Sequence, residues 1–177
     1  MAVCAASLGL VKLTFVTARL YNGFAGGTAP YHEACRVEAS GAGLPGYYMA
    51  WISTNPPGDY PYATFVHSVV PYVLPDGTTV VAANWAQLLT GSLSHPIDMH
   101  PDGTAAVAGN VWTGTGTNGY LDVDGVAGGQ IQNDCNGWQY GLLETGTTGA
   151  SNEDSPLWTF NGWETCDKQY PIYCFQQ

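Results

Sequence analysis

The segment TAPYHEACRVEASGAG, Thr28–Gly43, is the clearest helical pattern in the chain. Tyr31, Ala34, Cys35, Ala39 and Ala42 recur at helical spacing; Thr28 can cap the start, Pro30 suits the first turn, and Gly41 and Gly43 end it. A helix over about Ala29 to Ala42 follows, its small-residue face laid on a sheet. Around it the pattern changes to β-branched and aromatic runs: Lys12–Ala18 (KLTFVTA), Tyr47–Ser53 (YYMAWIS), Val69–Leu74, Thr78–Ala82, Asn110–Thr113 and Tyr170–Phe175 (YPIYCF). Seven Asn-Gly or Asp-Gly dipeptides, beginning at Asn22, Asp76, Asp102, Asn118, Asp124, Asn136 and Asn161, separate them. Turns at that density imply many short strands, with the best hairpin around Pro75-Asp76-Gly77. A second, shorter helix is predicted from about Trp85 to Thr90, capped by Asn84, stopped by Gly91, and turning Trp85, Leu88 and Leu89 inward.

The chain has 177 residues and 18.8 kDa, which suits a single domain. Hydrophobic residues make up 45% and charged residues only 10%, with 23 Gly and 11 Pro, so a folded but loop-rich protein is expected. Four basic against fourteen acidic residues give a net charge of −10. So few cations cannot neutralise a row of phosphates, which argues against nucleic acid or an anionic membrane as partner. No apolar run is long enough to span a membrane. The opening MAVCAASLGLV lacks a basic n-region and an A-x-A cleavage site, so no signal peptide is expected there. Polarity carried by Gly, Thr, Ser, Asn and Tyr points to a secreted, cell-surface or virion-surface protein.

From Thr113 to Gly149 there is little periodicity and much Gly, Thr and Asn. Such a length without elements marks functional loops, so this stretch is expected on the surface as a display region. Asp122 and Asp124, two residues apart, with Asn118 and Asp134 nearby, are candidate oxygen ligands for calcium or an ordinary acidic turn; the rest of an EF-hand is missing. Tyr60 and Tyr62 sit in the Pro-stiffened NPPGDYPY, Asn55–Tyr62, where a phenol pairs a stacking face with a hydroxyl at low entropic cost. They bind a ligand or merely cover a core edge. Trp51, Trp85 and Trp112 lie in strand or helix patterns and are expected in the core.

Catalytic motifs are missing: there is no G-x-S-x-G, no Walker loop and no G-x-G-x-x-G after a strand. His32-Glu33 resembles half of H-E-x-x-H, but Arg36 stands where the second histidine belongs. His95 and His100 flank a strand-like stretch, as exposed hairpin residues or a metal clamp. No catalytic residue, resident cofactor or metal is therefore expected, calcium being the one candidate cation.

Five widely spaced cysteines, Cys4, Cys35, Cys135, Cys166 and Cys174, contain no C-x-x-C, and disulfides are the better reading. Two bridges can be chosen in fifteen ways. A Cys35–Cys174 bridge would close a loop of nearly the whole domain, contributing about 4 to 5 kcal/mol in the chain-entropy model.

The order of motifs from KLTFVTA through the Cys35 helix, Gly43-Leu44-Pro45-Gly46, Tyr48–Ser53, Ala83–Leu88, Val111–Thr115, Cys135-Asn136-Gly137-Trp138, Cys166 and Tyr173-Cys174-Phe175 resembles a bacterial surface-lipoprotein domain of unassigned function. That domain is similar to collagen-derived endostatin, of the C-type lectin-like fold. The resemblance spans roughly 12–176, leaving 1–11 as an N-terminal extension. It implies an α+β fold with its termini together, short twisted antiparallel strands, one main and one short helix, long loops, and nested bridges Cys35–Cys174 and Cys135–Cys166. It says nothing of Cys4, and Met1-Ala2-Val3 before it is no lipobox. Endostatin's N-terminal zinc histidines have no counterpart, since no histidine precedes His32. Taken with the loop chemistry, the leading functional expectation is a non-catalytic recognition or adhesion module binding a glycan or protein surface, with the loop residues Tyr60, Tyr62, Asn118, Asp122 and Asp124 as candidate contacts. The alternatives are a virion decoration or appendage subunit partnered by its own copies or a coat protein, and a glycan hydrolase.

Overall fold

The computed structural model describes residues 9–54, 58–124, 131–139 and 144–177, with only the backbone of 123, 124, 131 and 132. Cys4 lies outside the described residues. The chain is α+β. Its main sheet joins β1 (Lys12–Val16), β3 (Tyr48–Ala50), β4 (Tyr72–Val73), β5 (Val80–Ala82) and β12 (Tyr173–Gln176) in the order β3-β12-β1-β4-β5. Within this sheet, among the described residues, β1–β4 is the one parallel pairing. First and last strands are adjacent, with Phe15 opposite Cys174, so the two ends of the sheet-forming chain meet in the centre of the sheet. A second, antiparallel sheet runs β10 (Gly162–Thr165), β9 (Thr145–Ala150), β6 (Asn110–Trp112), and a bridge between Trp112 and Ile172 ties it to the chain entering β12. Two ribbons complete the strands: β2 (Tyr21–Asn22) with β11 (Gln169–Tyr170), and β7 (Val123–Asp124) with β8 (Ile131–Gln132).

Helix α1 (Ala29–Gly41) buries Tyr31, Ala34, Cys35 and Ala39, the stripe read from the sequence, and packs against β3. Small side chains let helix and sheet approach, and the Cys35–Cys174 disulfide fastens the two. Its C-terminus closes with Gly43 at φ +70°, where Gly43 N–H reaches Ser40 C=O and Leu44 N–H reaches Ala39 C=O, satisfying two orphan carbonyls. Its N-terminus departs from expectation. Thr28 adopts helical angles and makes no side-chain cap; its hydroxyl instead donates to the Asp59 carboxylate, a stronger acceptor arriving from another loop.

Beyond α1 and α3 (Trp85–Leu88, its Asn84 side chain accepting the Gln87 N–H at 3.0 Å), the chain adds single turns α2 (Pro61–Thr64) and α4 (Cys135–Trp138) and a 3-10 turn at Pro156–Trp158. One short helix is thus too few. Such turns carry no periodicity to read, because they are shorter than one heptad.

Two hydrophobic clusters flank the main sheet. One gathers Leu13, Phe15, Tyr31, Trp112 and Trp138 with both disulfides; the other gathers Trp51, Trp85, Trp158, Tyr173 and Phe175. Trp51, Trp85 and Trp112 are core residues, as their patterns indicated. The stretch Thr113–Gly149, however, is not simply a surface display region. Thr113, Thr115, Cys135 and Trp138 are fully buried and β9 is the central strand of the second sheet. Its glycines are packing residues: a Cβ on Gly146 would lie 2.8 Å from Cys135 Sγ and 2.9 Å from the Trp112 ring, and one on Gly149 would lie 1.9 Å from the Trp158 carbonyl oxygen. Low apolar content here reflects backbone pressed against tryptophan, which composition alone reads as exposure.

Candidate functional site

Two surface loops converge on a set of stacked aromatic rings. Gly58 at φ +79° leads into Asp59 and Tyr60; Pro61 then starts α2, whose first turn presents Tyr62 outward. The facing loop is a turn closed by Gly116 N–H to Tyr120 C=O at 2.9 Å and shaped by Asn118, whose Oδ1 accepts the Tyr120 N–H at 3.1 Å. The loops are joined by backbone, Tyr62 N–H donating to Gly119 C=O at 2.9 Å. Gly119 sits at φ +77°, with Leu89 and Tyr62 against the position a Cβ would take.

That docking stacks the rings. Tyr62 and Tyr120 lie 4.6 Å apart at 23°, and Tyr60 lies 5.0 Å from Tyr120, tilted by 37°. The row continues through His67, 5.3 Å from Tyr62, to Trp85, parallel to His67 at 4.5 Å and 6°. His67 Nε2 donates to the Tyr62 carbonyl at 2.9 Å, holding that end in place. Tyr62, His67 and Tyr120 are exposed, whereas Trp85 is anchored in the core. Desolvation, then the neighbouring Tyr62 and Tyr60 phenols, pushes the Tyr120 hydroxyl above its ordinary pKa, so it stays a neutral donor and acceptor. Sequence reasoning found Tyr60 and Tyr62 and missed Tyr120 and His67. Their only signal is an aromatic residue beside an Asn-Gly turn and another in a loop, which is common.

The loop bearing Tyr60 is held from beneath. Asp59 accepts the Thr28 hydroxyl with Oδ2, and its Oδ1 faces His32 Nε2 at 3.6 Å. Facing His32 foremost, and the Thr28 hydroxyl, lower the Asp59 pKa against the opposing effect of burial. Thr54 N–H donates to the Asp59 carbonyl at 2.9 Å. These contacts set where Tyr60 stands.

Along the Gly116–Tyr120 turn, a cavity of about 260 Å³ is lined by Gly116, Thr117, Asn118, Leu121, Asp122 and Phe160. Asp122 Oδ2 accepts the Thr147 hydroxyl at 2.8 Å and the Trp163 indole N–H at 3.3 Å. Phe160 and Trp163 are both exposed, with rings 6.0 Å apart. Asn118 and Asp122 thus line a cavity along the same turn that carries Tyr120. Asp124 is in β7, opposite Ile131, and its side chain lies outside the described residues.

The histidines do not converge. His95 Nδ1–H donates to Pro96 C=O at 2.8 Å and His100 Nδ1–H to Val16 C=O at 3.1 Å. Among the described residues no three His, Cys, Asp or Glu side chains gather as metal ligands. Arg36, where a metalloprotease would have its second histidine, pairs with Glu33 and donates to the Tyr47 hydroxyl at 2.7 Å.

Both nested disulfides are formed, Cys35–Cys174 and Cys135–Cys166. No described helix is long and apolar enough to cross a membrane. No protein-family model matches the sequence, and no curated protein matches it either.

Proposed function

We propose that this chain is a non-catalytic recognition module, of C-type lectin-like, endostatin-like fold and displayed outside the cell, that binds a glycan across the Tyr60–Tyr120–Tyr62 stack. The observation that carries the reading is the stack itself: phenols from two loops, Tyr62 and Tyr120 exposed and Tyr60 half-buried, held by a backbone hydrogen bond and the half-buried Asp59 carboxylate before any ligand arrives. Rings fixed in advance lose little entropy on binding, and each pairs an apolar face for a pyranose with a hydroxyl for its oxygens. Two disulfides favour an oxidising compartment. A net charge of −10 disfavours anionic partners.

The test is a glycan array with the wild-type chain and Tyr62→Ala/Tyr120→Ala, alongside solution mass. A monomer that binds neutral or amino glycans, and loses them in the double variant, supports the reading. Glycan binding untouched by the double variant overturns it, as does a glycan-hydrolysing turnover. An obligate assembly that binds no glycan favours the structural-subunit alternative.

A further inference from the structure

Asp122 carries a charge that its own surroundings do not cancel. Its two donors, the Thr147 hydroxyl and the Trp163 indole, are neutral. The ion pairs among the described residues are His32–Asp59, Glu33–Arg36 and His95–Asp98, and none includes Asp122. The carboxylate lines a cavity whose wall is the exposed Phe160 ring, with Trp163 standing edge-on to Phe160. A carboxylate that shares a cavity with an aromatic ring attracts a cation twice, through its own charge and through the negative face of the Phe160 ring. At about 260 Å³ the cavity is smaller than the roughly 300–1,000 Å³ of a site for a whole drug-sized ligand, and suits one compact group. It opens on the same turn that places Tyr120 in the stack.

We infer that the Asp122–Phe160 cavity receives a primary ammonium group, and that the glycan class bound by this chain is an amino sugar whose ring stacks on the tyrosines. The inference rests on the reading above for the sugar ring and adds its charge. Among the described residues the carboxylates needed for a divalent cation are not gathered at this cavity, and an anionic sugar would meet Asp122 head-on. Asn118, exposed at the rim, turns its Oδ1 to the Tyr120 N–H and leaves its amide N–H₂ for a neighbouring hydroxyl.

The experiment titrates the full chain, in the presence of EDTA, with glucosamine trisaccharide and with its N-acetylated counterpart. At about pH 6 the free amines are charged and the acetamides are not. The free-amine sugar should bind roughly tenfold tighter, the sum expected of one exposed ion pair and one cation–π contact. Added salt should shrink that ratio. Asp122→Asn, and separately Phe160→Ala, should each cut it to roughly threefold; the second leaves the Asp122 hydrogen bonds in place, so a folding defect in the first does not decide the matter. Equal affinities that both fall in Tyr62→Ala overturn the ammonium site and leave the stack standing. A free-amine preference with both affinities unchanged in Tyr62→Ala upholds the ammonium site and overturns the stack, whereas a preference kept while both affinities fall upholds the two together. Binding of neither sugar, or binding abolished by EDTA, overturns the inference.

Discussion

His32 Nδ1 accepts the backbone N–H of Ala50 at 3.0 Å. Ala50 is in β3, the edge strand of the main sheet, so the imidazole caps a donor that no neighbouring strand reaches. Because Nδ1 accepts, the proton of the neutral ring is on Nε2, the nitrogen that faces Asp59. One side chain thus links helix α1, the sheet edge and the loop bearing Tyr60. His32→Leu fills the space yet orphans the Ala50 N–H, and should cost about 1 to 3 kcal/mol in urea denaturation. An unchanged midpoint would show that this bond contributes nothing.

Acid should loosen the same junction. Asp59 holds its proton less readily folded than unfolded, because His32 and Thr28 stabilise its carboxylate. Its contribution is therefore present above the ordinary carboxylate pKa of about 4 and is lost as pH falls through the lower folded value. Melting temperature followed downward from about pH 5 should drop more steeply in the wild type than in Asp59→Asn. Parallel curves would remove Asp59 from the acid response.

The two disulfides differ in the chain they enclose, with sequence separations of 139 and 31. Loop-closure entropy assigns about 5 kcal/mol to Cys35–Cys174 and about 4 kcal/mol to Cys135–Cys166. The shorter bridge also braces α4, where Cys135, Asn136, Gly137 and Trp138 all have positive φ, a left-handed turn that costs roughly 1 to 2 kcal/mol at each non-glycine residue. Losing it with Cys135→Ser/Cys166→Ser should therefore release Trp138 locally. Reduced protection of the Gly26 and Gly27 amides, which donate to Trp138 C=O, is the expected hydrogen-exchange signature. Retained protection would mean that the Asp134 side chain, bonded to Gly137 N–H at 3.0 Å, suffices.

Gly149→Ala should be among the most damaging single substitutions. Its Cβ would lie 1.9 Å from the Trp158 carbonyl oxygen and 2.6 Å from its carbon, both backbone. Strand β9 and the 3-10 turn must part, at about 3 kcal/mol or more, whereas Gly41→Ala, with open space at its Cβ, should be neutral or slightly stabilising. Equal melting temperatures for the two variants would refute the close approach.

Helix α1 was legible because a small-residue stripe at i, i+3, i+4 has one structural meaning, and its stop at Gly43 follows from the φ that only glycine takes freely. The Asp76-Gly77 hairpin appears as the β4–β5 pair, and Asn84 caps its helix, because both are local chemistry completed within a few residues. Thr28 shows where local reasoning ends: it is a good cap by type, and a carboxylate thirty-one positions away takes its hydroxyl.

The sequence by itself determined the short-strand architecture, the main helix and its buried face, and the candidacy of Tyr60, Tyr62, Asn118 and Asp122. Those rest on periodicity and on turn chemistry, which act over one to four residues. Only the tertiary structure decided that Tyr120 lies against Tyr62, that Asp122 bonds Thr147 and Trp163, and that the glycine-rich β9 is interior. Each depends on distant segments meeting, and the same glycine serves an exposed turn or a backbone pressed against tryptophan. Which of the two holds is set by what the fold places beside it.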